Sequence, residues 1–215
     1  MGFNLQDLTD ELALALGMGM TKGSIISAVD DPGPATVAGL RPGDVLLAID
    51  GFSPSDSRAY MRRIVQLPVG QQVKLTIWRD GKREDVAAAV GEWPNHMPGG
   101  GVMTATAAEA MIQRMPDPGV RLAALTDEAR KQYGINAKVK GVLVASVEKD
   151  CEAQDLGIVA GDVITGVQGA PVASPDEVRR AVRAAHDERR PYLAVLIQGK
   201  NGTRWVSLSM GGTAS

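Results

Sequence analysis

Two small, mainly β domains with short helices, arranged in tandem as partly open barrels, are the fold class this sequence predicts. Three observations carry the prediction. The first is length: 215 residues suit two domains of roughly 100 residues each. The second is an internal repeat. Residues 23–51 (GSIISAVDDPGPATVAGLRPGDVLLAIDG) align with residues 141–169 (GVLVASVEKDCEAQDLGIVAGDVITGVQG) at a shift of 118. Gly23, Val29, Gly39, Gly43, Asp44, Val45 and Gly51 thereby meet Gly141, Val147, Gly157, Gly161, Asp162, Val163 and Gly169. Leu8-Thr9-Asp10-Glu11 recurs as Leu125-Thr126-Asp127-Glu128 at a shift of 117. A period this long duplicates a whole domain rather than a small solenoid unit. The third is pattern: short β-rich runs alternate with Gly, Pro and Asp turn signals in both copies.

In the first copy Phe3, Leu5 and Asp7 open an alternating strand. Thr9 caps a helix over residues 10–16, with Asp10 and Glu11 in the first turn, where the dipole favours acidic groups. Gly17 is its stop. Residues 23–29 are a β-rich run, and Asp30-Asp31-Pro32-Gly33 is a turn. Residues 34–38 hold only a short helix, ended by Gly39. In Arg41-Pro42-Gly43-Asp44 the proline fixes φ and the glycine is free to take φ > 0, which makes a tight turn. Residues 45–49 form a buried strand and Asp50-Gly51 a turn. Asp56 or Ser57 caps a helix that runs to about Gln66, with Tyr60 and Ile64 sharing its core face. Val73, Leu75 and Ile77 alternate as a strand, Arg79-Asp80-Gly81-Lys82 is a hairpin turn, and the chain returns over residues 86–90.

The second copy follows the same order. Residues 120–124 are the strand, Thr126 opens the helix, and residues 142–147 and 162–167 are strands. Ser174-Pro175-Asp176-Glu177 supplies a cap, an N1 proline and an acidic first turn, with Val178 and Val182 as core positions. Residues 192–198 and 204–210 close the sheet about the turn at Gly199-Lys200-Asn201-Gly202. Between the copies, residues 94–104 (PNHMPGGGVMT) read as a linker, and residues 105–115 (ATAAEAMIQRM) as a short helical stretch. The expected boundaries are 1–93 for the first domain, 94–115 for linker and helix, 116–211 for the second domain, and 212–215 for a tail. Gly2 and Phe3 already begin a strand, so the chain is expected to be a segment of a longer protein.

Composition narrows the function. Twenty-three basic and 25 acidic side chains leave a formal charge of −2, which argues against a nucleic-acid partner. Aromatics are 4% of residues, so the cores are built from aliphatic side chains and Met. No run approaches the length of a membrane span, and no signal peptide is visible. Cys151, the single cysteine, has no disulfide partner within the chain and no neighbouring histidine, and reads as a structural thiol. His96 in the linker and His186 beside Asp187 and Glu188 belong to no ligand cluster and no nucleophile segment. Gly99-Gly100-Gly101 lacks the strand, lysine and helix of a phosphate loop. No catalytic residue, metal or cofactor is expected.

The run from Gly39 to Gly51, G-L-x-P-G-D-V followed by an apolar strand and D-G, resembles the signature of bacterial PDZ domains. Residues 2–13 (GFNLQDLTDELA) and the turn at 79–82 are similar to the first PDZ domain of the HtrA (protease Do-like) serine proteases. The second copy departs from that pattern at Ile158-Val159-Ala160-Gly161 and at residues 151–155. The resemblance implies two PDZ-like domains without their protease domain, which would lie N-terminal to Met1. It further implies a trimer-based periplasmic or cell-envelope parent that acts in protein quality control, and ligands that are C-terminal peptides or exposed hydrophobic segments of misfolded proteins. The alternatives are the tandem PDZ region of a site-two-type intramembrane metalloprotease and a non-catalytic PDZ scaffold.

A site of this type binds an extended peptide as an added strand and holds its carboxylate on backbone N–H groups of a glycine-containing loop. In family terms that loop is Met1-Gly2-Phe3 in the first copy and Pro118-Gly119-Val120 in the second. The partner strands are Phe3, Asn4 and Leu5, continuing to Gln6, and Val120, Arg121 and Leu122, continuing to Ala123. The helices over residues 56–66 and 176–185 form the other wall. Met61 and Val65 are the expected apolar pocket residues. Arg179 and Arg183 hold the same places in the second copy and would favour an acidic ligand residue.

Overall fold

The computed structural model describes residues 1–19, 22–54, 56–91, 113–114, 119–200 and 202–210. The chain separates into two compact units, Met1–Pro98 and Gly99–Ser215. The expected linker (94–104), the tail, and most of the expected helical stretch lie outside the described residues.

The first unit is a five-stranded antiparallel sheet in the order β1-β2-β3-β4-β5, without a closing β1–β5 pair. Its strands are β1 (Phe3–Asp7), β2 (Ser24–Val29), β3 (Val45–Ile49), β4 (Gln72–Arg79) and β5 (Lys82–Ala89), and its helices are α1 (Asp10–Ala15), α2 (Pro34–Val37) and α3 (Ser57–Val65). The sequence VLLAI of β3 is buried at all five positions, as a central strand requires. β4 alternates as expected, with Val73, Leu75 and Ile77 inward. The β4–β5 hairpin turns on Asp80 and Gly81, whose φ values are 48° and 79°. Both residues being left-handed is what a two-residue hairpin needs.

Capping follows the residue types. Thr9 accepts a hydrogen bond from the Leu12 N–H, and Asp56 accepts one from the Ala59 N–H. Tyr60 is fully buried and donates its hydroxyl to the Leu47 carbonyl at 2.8 Å, and burial pushes its pKa up to about 12. With Ile64 it pins α3 onto the core formed by Ile26, Leu46, Ile49, Leu75 and Ile77. Asp44 of the Gly-Asp turn is buried. It takes the Arg41 N–H at 2.8 Å and a two-pronged grip from Arg79, Nε to Oδ1 at 2.7 Å and Nη2 to Oδ2 at 2.6 Å. Arg79 also reaches the Gly39 carbonyl, so one ion pair locks the turn to the end of β4.

The second unit repeats the plan. Its strands run β12-β11-β9-β8-β7-β6, with β10 on the side of β9. They are β6 (Gln113–Arg114), β7 (Val120–Ala124), β8 (Val142–Val147), β9 (Val163–Val167), β10 (Ala170–Pro171), β11 (Tyr192–Gly199) and β12 (Gly202–Ser209), with helices α4 (Asp127–Tyr133), α5 (Glu152–Asp155) and α6 (Pro175–Asp187). Val178 and Val182 face its aliphatic core.

Two differences from the sequence reading matter. Gln113 and Arg114, expected in a helix, form a strand, because the β7 edge offers them backbone partners. The buried Asp162 corresponds to Asp44 but is held more loosely. It accepts from the Val159 N–H at 3.2 Å, and Arg204 stands 3.8 Å away. Burial raises its pKa, opposed by the Val159 N–H and the charges of Arg204 and Lys200.

Candidate functional site

Among the described strands β1 ends the first sheet, pairing with β2. Its register decides which backbone groups face outward. The Asp30 N–H donates to the Gly2 carbonyl at 2.8 Å, while Phe3 stands opposite Val29. That arrangement makes Phe3–Val29 a non-hydrogen-bonded pair, so the N–H and C=O of Phe3 point away from β2. A bulge follows between Asn4 and Leu5. Beyond it Leu5 faces Ile26, whose own N–H and C=O are engaged on the opposite side by the Asp44 carbonyl at 2.8 Å and the Gly43 N–H at 2.9 Å. The N–H and C=O of Leu5 therefore also face outward. Phe3 and Leu5 present two donor–acceptor sets along one edge.

At the head of this edge Gly2 has φ +77°. The Met1 carbonyl accepts from the Ala35 N–H, and the Gly2 carbonyl from Asp30. In a planar trans peptide the N–H points opposite its carbonyl. The N–H groups of Gly2 and Phe3 consequently turn away from α2 and β2. Successive N–H groups around a left-handed residue form a concavity suited to an anion. The side chains of Met1 and Phe3 are buried in the core, so these two residues offer their backbones. Asn4 is exposed.

α3 supplies the facing wall. Leu5, Met61 and Val65 line one groove of about 610 Å³, with Arg58 and Arg62 at its rim. Val65 is 67% exposed, an apolar side chain held open to solvent. The groove is tied at one end, where the Ser57 N–H donates to Asp7 Oδ1 at 2.7 Å. This joins the last residue of β1 to one of the unsatisfied N–H groups at the start of α3. Asp7, Arg58 and Arg62 were not anticipated. Their signal was faint: a strand-ending aspartate and two arginines four apart on the helix that carries Met61.

The second unit carries the same backbone arrangement. Gly119 has φ +75°, and its carbonyl accepts from the Glu148 N–H at 2.7 Å. Val120 faces Val147, and Leu122 faces Val144, which is engaged by Asp162 and Gly161. Val120 and Leu122 thus direct their N–H and C=O groups outward, as Phe3 and Leu5 do, while their side chains lie in the core. A Cβ on Gly119 would meet Cys151 at 2.8 Å from its Cβ and 2.9 Å from its sulfur. Cys151 donates to the Glu148 carbonyl at 3.0 Å and buttresses the loop. Pro118 lies outside the described residues.

The walls differ. Arg179 is half-buried and paired with Asp176 one turn earlier, and Arg183 is exposed. Ala124 stands where Asp7 does in the first copy, so the tether has no counterpart. The edge itself is occupied: Gln113 faces Leu122 and Arg114 faces Arg121, which is exposed.

His186 and Asp187 sit with Arg189 and Arg190 around a shallow depression at the end of α6. Among the described residues no three His, Cys, Asp or Glu side chains are placed to hold a metal. Nor is any described helix long and apolar enough to cross a membrane.

An edge strand headed by a left-handed glycine and accompanied by a helix occurs twice, which defines a tandem of two modules of one plan. Residues 1–90 and residues 143–195 each match a PDZ-domain family, and the chain belongs to the PDZ-domain family through both copies. Both matched segments are PDZ domains, and neither contains a protease domain.

The chain is similar to the "Probable periplasmic serine endoprotease DegP-like" of Brucella suis, at 28% identity over 97% of this chain and 38% of the relative. The protein of the same description from Halomonas elongata is 30% identical over 88% of this chain and 38% of its own length. The chain thus spans well under half the length of the curated relatives it matches. Among solved structures, "HtrA-type protease AlgW with decapeptide" shares 38% identity over 44% of this chain and 29% of that one, with a TM-score of 0.41.

Proposed function

We propose that the chain is the peptide-binding regulatory region of an HtrA-like periplasmic serine endopeptidase. In this reading the first domain receives C-termini or extended hydrophobic segments of misfolded proteins as a strand added to β1. The observation that carries it is the open edge at Phe3 and Leu5 beside the groove of Leu5, Met61 and Val65. An extended peptide satisfies its backbone on that edge. Its carboxylate sits at the N–H groups of Gly2 and Phe3, and an apolar side chain fits against Met61, an adaptable liner. Arg58 and Arg62 favour acidic residues farther along the ligand. Gly119, Val120, Arg121 and Leu122 are the matching set in the second domain, with Arg179 and Arg183 on its wall. The partners in this reading are unfolded protein segments and the parent's own protease domain in a trimer-based assembly.

The test is calorimetry with a hydrophobic peptide in free-acid and amidated forms. Backbone donors hold a charged carboxylate by charge-assisted bonds, so amidation should weaken binding to the first domain by about 1–3 kcal/mol. Equal affinity for the two forms refutes the carboxylate loop. Tighter binding by the second domain refutes the ranking of the two.

A further inference from the structure

We propose that Gln113–Arg114 is an intramolecular ligand of the second domain, seated on β7 where a peptide would add. The second groove then takes substrate only when this segment leaves. The proposal rests on the peptide reading of the edge given above.

Register supports it. β6 runs antiparallel to β7, with Gln113 opposite Leu122 and Arg114 opposite Arg121. The segment therefore advances toward Val120 and Gly119. A peptide whose carboxylate ends at the Gly119 loop must run in that same direction. The groups it uses are also those a ligand needs. Leu122 turns its N–H and C=O away from β8, so the Gln113–Leu122 pair is the hydrogen-bonded one. Arg114, the next residue, points its own N–H and C=O away from β7. In the first domain the equivalent edge at Leu5 carries no strand among the described residues. Two domains of one backbone plan thus differ in whether the ligand edge is filled.

A competitor that occupies a site lowers apparent affinity by the fraction of molecules left open. Proline separates pairing from other effects because it lacks the N–H. Gln113→Pro removes the donor aimed at Leu122. Arg114→Pro, one residue on, removes an N–H that faces away and keeps the pairing.

The experiment is amide exchange and peptide titration by NMR on the full chain. In the unmodified protein and in Arg114→Pro, the Leu122 amide should exchange slowly. In Gln113→Pro it should exchange about tenfold faster. A hydrophobic free-acid peptide should then bind at Val120 and Leu122 about tenfold more tightly in Gln113→Pro than in the other two. Leu122 exchange that Gln113→Pro leaves unchanged overturns the proposal. So does equal peptide affinity in all three chains while the same peptide still shifts Leu5. A peptide that shifts neither Leu5 nor Leu122 in any variant overturns the peptide reading, and the competition with it.

Discussion

Asp7→Ala tests whether the first groove depends on the tether between β1 and α3. Asp7 Oδ1 takes the Ser57 N–H at 2.7 Å. Ser57 is the first residue of α3, and Asp56 already serves the Ala59 N–H, so the two aspartates satisfy two different orphan donors. The bond is charge-assisted, which places it above an ordinary backbone bond, and it is exposed, which returns much of that advantage to water. A net value of about 1 kcal/mol follows. Urea unfolding of the first domain should show that loss in full. If the bond also holds Leu5 at its distance from Met61 and Val65, part of the same energy appears in binding. The ceiling is then about fivefold in affinity, since 1.4 kcal/mol is tenfold. Asp7→Asn keeps an acceptor oxygen and should recover most of both losses. Calorimetry with one free-acid peptide on the three chains is the assay. Asp7→Ala with unchanged stability, or Asp7→Asn as damaging as Asp7→Ala, would refute the tether. A stability loss without an affinity loss would show that the bond supports the helix alone.

Two further outcomes follow from the loop glycine and from the buried aspartate. Gly119→Ala should destabilise the second domain by about 2–4 kcal/mol, from left-handed strain and overpacking together, because its Cβ would fall 2.8 Å from that of Cys151. Gly2→Ala should cost only the strain, about 1–2 kcal/mol, since its nearest neighbour would be at 3.4 Å; equal losses in denaturant unfolding would contradict the close approach. Burial raises the Asp162 pKa above 3.8, so the folded state keeps its proton after the unfolded state has released one. The contribution of Asp162 is complete below pH 3.8 and falls as pH rises through the raised folded value. Asp162→Asn should flatten that decline, and a variant with the same pH profile would refute the assignment.

Much of the fold could be read from residue types because local signals and tertiary demands agreed. Thr9, Asp56, Thr126 and Ser174 cap the helices expected of them. The runs at 45–49 and 142–147 became strands with those bounds, since short apolar runs between turn signals have little alternative. Residues 105–115 were misread at Gln113 and Arg114 for the opposite reason. Ala and Met give that stretch helix propensity, which is a weak prior, and an edge with outward donors and acceptors outweighed it. No spacing within the segment announces a partner that lies several residues away on β7. The groove's apolar residues were legible: Met61 and Val65 share a face of α3 by helical spacing, and Leu5 alternates on β1 opposite them. The tether was not, because an exposed aspartate at a strand end has no distinctive pattern until the helix terminus it serves is in place.

The two copies agree and diverge in a way that separates folding from recognition. They share what the backbone needs: left-handed glycines at 2 and 119, bulges after Asn4 and Arg121, and the buried aspartates 44 and 162. Even where the second copy loses the partner of its aspartate, the chain restores one from elsewhere. Arg79 closes the turn from β4, and Arg204 approaches the same place from β12, reaching the Gly157 carbonyl as Arg79 reaches that of Gly39. Gly199 on β11 lies so near Asp162 that a Cβ there would come within 2.6 Å of its carboxylate. A long side chain cannot grow from that point without displacing the aspartate. Other differences lie around the groove. Asp7 becomes Ala124, Met61 and Val65 become Arg179 and Arg183, and an open edge becomes one filled by Gln113–Arg114. Met61 packs against the first core from a partly buried position, so that exchange also reaches the edge of a core. The pattern fits a division of work, with the first domain open to ligand and the second held in reserve by its own chain.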